Sequence, residues 1–255
     1  MNGLPFQSVE YRQYKNTFLT RVLLSLDYDT PTSVADEELL SRLKNFAEAY
    51  FQLEIGKCSD SFRNVQFTRN DGAQVFMLSR HNAAVILDGT KYVSYTDTAQ
   101  PQLEKLCDFV EKVIGIGKVR RLGIRKINMW QFKNDLGTPY PAEKAREFVL
   151  QESIRNVLSS KNLLDEERRI PEFVKKEWQN ECDRLVLRSA YLLEPKAYGV
   201  SRLVLDTARI VERDVSVKEI SVVAKVMNKD LYDAYFGCVN ADIVKIMEGL
   251  ENGAK

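Results

Sequence analysis

The sequence predicts an α+β fold in which helices pack on one face of an antiparallel-rich sheet, followed by a C-terminal unit of helices and strands. Three observations predict this class. Short segments with alternating apolar and polar residues recur in the first half, and Asn70-Asp71-Gly72 between two of them is typical of a hairpin turn. Apolar residues at helical spacing cover residues 36–51 and 101–114. Helical spacing also continues from residue 217 to residue 250.

The first unit, residues 1–133, is predicted to consist of strands and two helices. Alternation over residues 20–28 indicates a half-buried strand, which Pro31 ends. Gly115 and Gly117 end the second helix, because glycine tolerates a left-handed backbone. The predicted order is a strand at 20–28, a helix at 36–51, strands near 62–67, 74–79, 84–87 and 91–95, a helix at 101–114 and a strand at 119–132.

A turn-rich stretch at residues 133–141 separates this unit from a second one at residues 142–255, whose strands are free to extend the same sheet. We predict a helix at 142–158 and strands at 185–193 and 201–212, whereas residues 163–183 have no clear pattern. The last helical region is long for a single helix, so we expect a break near Asn228 or Gly237.

Composition limits the function classes. The formal net charge is +1, so no overall field draws the chain onto nucleic acid, and any basic footprint must be local. No apolar run approaches the roughly 18–20 residues that span a bilayer. The N-terminal residues lack the pattern of a signal peptide, so we expect no membrane partner. The four cysteines are far apart, which predicts free thiols in a reducing cytoplasm.

We predict no catalytic residues, no metal ligands and no cofactor. His81 is the only histidine and lies at a predicted turn without a nucleophile motif, so a His-rich zinc site is excluded. Asp183 followed by Glu194 and Lys196 has the residue types of a metal-dependent nuclease. Pro195 and the predicted strand end favour a plain turn at this place.

The densest basic charge lies from Lys118 to Lys133, within the predicted strand at 119–132. Such charge with an interleaved aromatic residue is typical of strands that contact a phosphate backbone and stack on a base. Alternation divides the charges between the two faces of the strand, so solvated or salt-bridged side chains are the alternative. The residues predicted to contact nucleic acid are Arg121, Arg125, Lys126 and Trp130.

The apolar positions of this strand change parity. Leu122 and Ile124 fall on one face, whereas Ile127 and Met129 fall on the other. A β-bulge near Arg125, or burial of both faces at the far end of the strand, would explain the change.

The segment from Leu122 to Asn128 resembles a signature of an uncharacterised, sporadically distributed prokaryotic family of similar length. That signature is an apolar-Gly-apolar-Arg-x-apolar-Asn strand after the second helix, and the resemblance extends to residues 67–78 and 228–247. Lys126 stands where an aromatic residue is expected. The resemblance implies no catalytic residues, and it implies a setting in mobile or phage-defence loci.

Two positions of the signature have a physical interpretation. Gly123 is expected to mark a close backbone approach. Arg125 and Asn128 are expected to form a buried polar pair, which would stabilise the fold without a ligand.

The leading functional prediction is a non-enzymatic interaction protein, a subunit or accessory component of a cytoplasmic complex. A nucleic-acid-binding module is the alternative, and a metal-dependent nuclease is the third. We expect a protein partner or self-association through the C-terminal apolar stripe, because it is wider than a two-helix seam requires. The other interpretation is that the stripe packs wholly on its own domain. The predicted interface residues are Leu231, Tyr235, Phe236, Val239 and Ile243.

Overall fold

The computed structural model describes residues 6–14, 16–30, 38, 41–42, 45–46, 49, 54–55, 64–68, 74–134, 138–159, 172–193 and 199–250. The strands are β1 (Leu19–Asp27), β2 (Glu54–Ile55), β3 (Asn64–Thr68), β4 (Gln74–Ser79), β5 (Asn82–Asp88), β6 (Lys118–Val119), β7 (Arg121–Lys133), β8 (Glu172–Gln179), β9 (Asp183–Leu193), β10 (Val200–Val211) and β11 (Val215–Ser216). The helices are α1 (Gln100–Phe109), α2 (Ala142–Val149), α3 (Glu152–Ser159), α4 (Ile220–Cys238) and α5 (Ala241–Glu248). The described positions between 38 and 49 are also helical.

One antiparallel sheet contains strands from both predicted units. Within the described residues its order is β2-β3-β4-β5-β1-β7-β10-β9-β8. The central strand β7 pairs with β1 on one side and with β10 on the other. It therefore joins the strands that precede the turn-rich stretch to those that follow it. Strands β6 and β11 form a separate pair.

The helices lie on one face of this sheet, which confirms the predicted α+β fold class. From Val22 to Leu26, β1 buries every second side chain on that face, as expected where one side of an antiparallel sheet is covered. Leu24 and Val85 of the sheet share a buried cluster with Leu106 of α1. Trp130 and Leu205 belong to a second cluster with residues of α2, α3, α4 and α5. No helix in the described part of the chain is long and apolar enough to cross a membrane.

The predicted strand at 91–95 is wrong. The chain instead forms a 3-10 turn at Gly89–Lys91 and a π-helical turn at Tyr95–Ala99. The side chains of Asp88 and Ser94 cap these turns by accepting hydrogen bonds from backbone N–H groups at 2.9 and 3.0 Å. Such local capping competes with the backbone pairing of a strand.

The predicted helix at 142–158 is interrupted between α2 and α3. The backbone N–H of Gln151 donates to the carbonyl of Cys238 at 2.8 Å, and its side-chain amide donates to the carbonyl of Val239 at 3.0 Å. These bonds to the end of α4 replace helical ones. The predicted break near Gly237 is confirmed, because α4 ends one residue later.

The predicted bulge near Arg125 is wrong. Strand β7 keeps an uninterrupted register with β10, and the irregularity against β1 lies between Leu19 and Arg21. Ile127 and Met129 are half-buried on the face that the helices do not cover. The change of parity has its cause on the opposite face, where polar side chains take the place of apolar ones.

Candidate ligand pocket

A cavity of about 320 Å³ lies between the helix-covered face of the sheet and α4. Strands β7 and β10 form its floor. The walls are α4 and the loop between β5 and α1. Residues 6–14, which we call the N-terminal strap, pass over it, and residues 11–14 of the strap line it. This volume is in the range of small-molecule sites.

The floor is polar, and this explains the change of parity in β7. Lys126 and Asn128 line the cavity on the helix-facing side of the strand, where the neighbouring positions Ile124 and Trp130 are buried in the core. Thr207 of β10 pairs with Lys126, and its hydroxyl donates to the Lys126 carbonyl at 3.4 Å. The apolar pattern of β7 therefore stops where the pocket begins.

The ammonium group of Lys126 has no carboxylate partner within the described residues. Its Nζ lies 5.3 Å from the ring centre of Tyr92, a cation–π distance. Burial lowers the pKa of Lys126 to about 8, because the charged form loses hydration. None of the described lining residues is acidic, and the only other charged one, Arg12, pairs with Glu248 at 3.5 Å.

Aromatic side chains form much of the pocket wall, and some polar atoms of the wall lack partners. The hydroxyls of Tyr92 and Tyr95 and the Oδ1 of Asn228 are buried without a hydrogen bond to the described residues. Burial also raises the pKa of Tyr95, so its hydroxyl stays protonated. Each unsatisfied buried group costs about 1–3 kcal/mol. The aromatic lining residues are Tyr11, Tyr14, Tyr92, Tyr95, Tyr232, Tyr235 and Phe236.

The N-terminal strap is attached mainly to α4. The backbone N–H of Val9 donates to the carboxylate of Asp233 at 2.9 Å. The backbone N–H of Arg12 donates to the Tyr232 hydroxyl, also at 2.9 Å. The strap therefore covers the pocket through bonds to individual side chains of the helix. Ring contacts at 5.1 and 5.2 Å join the pairs Tyr11–Tyr232 and Tyr14–Phe236.

Gly89 lets the loop that carries Tyr92 and Tyr95 pass directly against β1. A Cβ atom at this position would lie 2.4 Å from the carbonyl oxygen of Leu19. Because that distance is far inside van der Waals contact, only glycine fits. The start of the loop is thus fixed beside the pocket floor.

The four residues predicted to contact nucleic acid do not lie on one surface. Arg121 and Arg125 face away from the helices, and each pairs with a carboxylate at 2.8 Å. Lys126 lies on the opposite face, in the pocket. Trp130 is only 3% exposed. The nucleic-acid alternative stays a prediction, with no shared basic surface of these four residues to support it.

Within the family-like signature, Gly123 lies against a side chain and not against a closely approaching backbone, because the atom that a Cβ there would meet is the Ser25 hydroxyl, at 2.7 Å. The predicted pair of Arg125 and Asn128 is wrong, since alternation places the two side chains on opposite faces of β7. Arg125 instead binds both carboxylate oxygens of Asp206, at 2.8 and 2.7 Å.

The five predicted interface residues lie within the chain's own fold. Helix α4 crosses β7 and β10 directly, so most of its apolar side chains face the sheet and the pocket, whereas Val222 and Val226 are exposed. At the five predicted interface positions the stripe packs on its own domain. Four of the five are at most 8% exposed, namely Leu231, Tyr235, Val239 and Ile243. The fifth, Phe236, lines the pocket.

The residues of the nuclease prediction form no described metal site. Asp183 is engaged by Arg209, whose Nη2 lies 3.1 Å from the carboxylate. Arg209 is itself buried, at 2% exposure. Glu194 and Lys196 lie outside the described residues, so the arrangement of all three stays a prediction.

No protein-family model matches the chain, and no curated protein matches it. The resemblance of Leu122–Asn128 to a prokaryotic family therefore stays a prediction. Function has to be inferred from the pocket, which the sequence did not predict. The one local signal of the pocket in the sequence is that Lys126 and Asn128 stand at strand positions where apolar core residues are otherwise expected.

Proposed function

We propose that the protein is a non-enzymatic binding protein for a small organic molecule held between β7, α4 and the N-terminal strap. The observation that carries this proposal is the unpaired Lys126 ammonium in an aromatic cavity. The fold gains nothing from a desolvated charge or from the unpaired hydroxyls of Tyr92 and Tyr95, because each costs free energy. A bound molecule that pairs with the ammonium would offset the cost of the charge.

The residue types in the pocket support binding more than catalysis. Nucleophilic catalysis by a hydroxyl or thiol needs a general base beside that group. The described lining has threonine hydroxyls, but it has no histidine, cysteine, aspartate or glutamate to activate them. The hydroxyl of Thr207 already donates to a backbone carbonyl.

A matched pair of Gln→Trp variants tests the site. Gln13 is exposed and lines the pocket mouth, whereas Gln131 is exposed at the far end of β7. We expect Gln13→Trp to weaken the binding of small aromatic probes at least tenfold, because an indole there occludes the cavity. Saturation-transfer NMR with benzamide, benzoate and phenyl phosphate measures this. Equal binding by the wild type, Gln13→Trp and Gln131→Trp would contradict the proposal, as would no binding of any probe.

A second proposal keeps the interaction role. Val222 and Val226 lie one turn apart on the outer side of α4 and are 69% and 52% exposed. We propose that this apolar pair contacts a protein partner in a cytoplasmic complex, and the buried free thiols of Cys107 and Cys238 support a reducing compartment. Replacing both valines with serine should abolish association of the protein with its partner in sedimentation experiments, without lowering the free energy of unfolding. Unchanged association would count against this surface.

A further inference from the structure

We infer that the pocket ligand is a small aromatic acid, whose carboxylate or phosphate oxygens bind the Lys126 ammonium while its ring packs against the tyrosines of the wall. This inference rests on the proposed function and adds the chemical class of the ligand. It is carried by the charge of the lining, by the balance of donors and acceptors, and by the shape of the wall.

The charge of the lining favours an anion. Lys126 and Arg12 are its two basic residues, and no described lining residue is acidic. Arg12 already has Glu248 as a partner, so Lys126 carries the uncompensated charge. The pKa of about 8 leaves this amine mostly protonated at neutral pH. A neutral ligand would leave the charge unpaired, whereas an oxyanion would form charge-assisted hydrogen bonds with it.

Lys126 makes the lining rich in hydrogen-bond donors. Its ammonium offers three N–H donors and no acceptor. The hydroxyls of Tyr92 and Tyr95 can each donate or accept, and, like the Oδ1 of Asn228, they are buried with no partner among the described residues. A ligand that satisfies the ammonium brings several acceptor oxygens in one group.

The wall favours a flat ring attached to that acid group. Its aromatic side chains offer apolar faces and edges, which pack well against planar ligands. The Lys126 ammonium already lies 5.3 Å from the Tyr92 ring, so the cation and a stacking surface are within reach of one small molecule. A cavity of about 320 Å³ accommodates one ring, or a fused pair, together with the acid.

The test compares probes of the same shape and different charge. Benzamide has the shape of benzoate but carries a neutral NH2 group in place of the charged oxygen. Phenyl phosphate distinguishes a phosphate ligand from a carboxylate. We expect Lys126→Met to weaken the tighter-binding acid at least tenfold while the affinity for benzamide changes less than twofold. Lys126→Arg, which keeps the charge, should retain part of the acid's affinity. Lys225→Met is the matched control, because Lys225 is exposed on α4 away from the pocket.

The outcomes separate this inference from the proposed function. A preference for either acid that Lys126→Met abolishes supports the inference, and the tighter acid identifies the group. If benzamide and the acids bind the wild type equally, and Lys126→Met changes none of them, the ligand class is overturned while binding in the pocket stands. If no probe binds, or if Gln13→Trp leaves binding unchanged, the pocket itself is overturned as the binding site.

Discussion

Replacing Lys126 with methionine should stabilise the ligand-free protein at neutral pH, because it removes a charge that has lost its hydration without gaining a partner. The pKa of this group falls from 10.5 to about 8 in the folded state. That difference corresponds to roughly 3 kcal/mol of unfavourable free energy in the folded protein. It is an upper value, since Lys126 keeps part of its surface in the cavity. Methionine is of similar length and fills irregular space well.

The gain should shrink as the pH rises. Between pH 8 and 10.5 the unfolded chain holds the Lys126 proton and the folded chain does not, so the wild type gains stability with pH in this window. From pH 7 to pH 9.5, the advantage of Lys126→Met should fall by roughly 2 kcal/mol. Other groups that titrate in this range affect both proteins alike, so the difference between them isolates Lys126.

Urea unfolding followed by circular dichroism at both pH values measures the difference. The control Lys225→Met exchanges the same side chains on the exposed surface of α4, where we expect a change within about 0.5 kcal/mol. A loss of stability in Lys126→Met at pH 7 would refute the reasoning. So would an advantage that is the same size, or larger, at pH 9.5.

Three further outcomes are expected. Arg209→Met should lower the free energy of unfolding by about 3–5 kcal/mol in urea titrations, because the partly buried carboxylates of Asp183 and Asp230, at 3.1 and 2.9 Å from the buried guanidinium, would lose this partner. Gly89→Ala should cost at least about 1–3 kcal/mol by the same assay, since the added methyl group meets the backbone of β1; wild-type stability would contradict the close approach. The affinity for benzoate should fall about tenfold per pH unit above pH 8 in calorimetric titrations, as Lys126 loses its proton; a flat profile would argue against an ammonium contact.

The fold class could be predicted because most elements have their pattern within a few residues. Strands such as β1 and β10 alternate locally, and α4 repeats its apolar residues at helical spacing. Strand β8 has the sequence EFVKKEWQ, whose charged run hides alternation, and it was not predicted. The turns around Gly89 were mistaken for a strand, because capping by side chains leaves no periodic signal.

The pocket could not be predicted in the same way. Its lining comes from segments far apart in sequence, which only the sheet order brings together: residues 11–14, 17, 19, 90, 92, 93, 95, 126, 128, 207, 228, 231, 232, 235, 236 and 247. The sequence assigns Lys126 to a basic strand and Asn128 to a pair with Arg125, since alternation alone does not say which face a helix covers. Their meaning depends on where α4 crosses β7, and this crossing is a long-range contact.

The attachment of the N-terminal strap also bears on the order in which the molecule is made. Within the strap, the backbone N–H of Val9 donates to Asp233, and two residues beyond its end the backbone N–H of Asn16 donates to the carbonyl of Met247 at 3.1 Å. On the ribosome, the strap emerges early but must wait for α4 and α5 before it finds these partners. Contacts between residues so far apart in sequence form slowly and late. A chain arrested before residue 220 would have the pocket floor and the loop between β5 and α1 without the wall formed by α4 or an attached strap, so ligand binding reports that synthesis has passed α4.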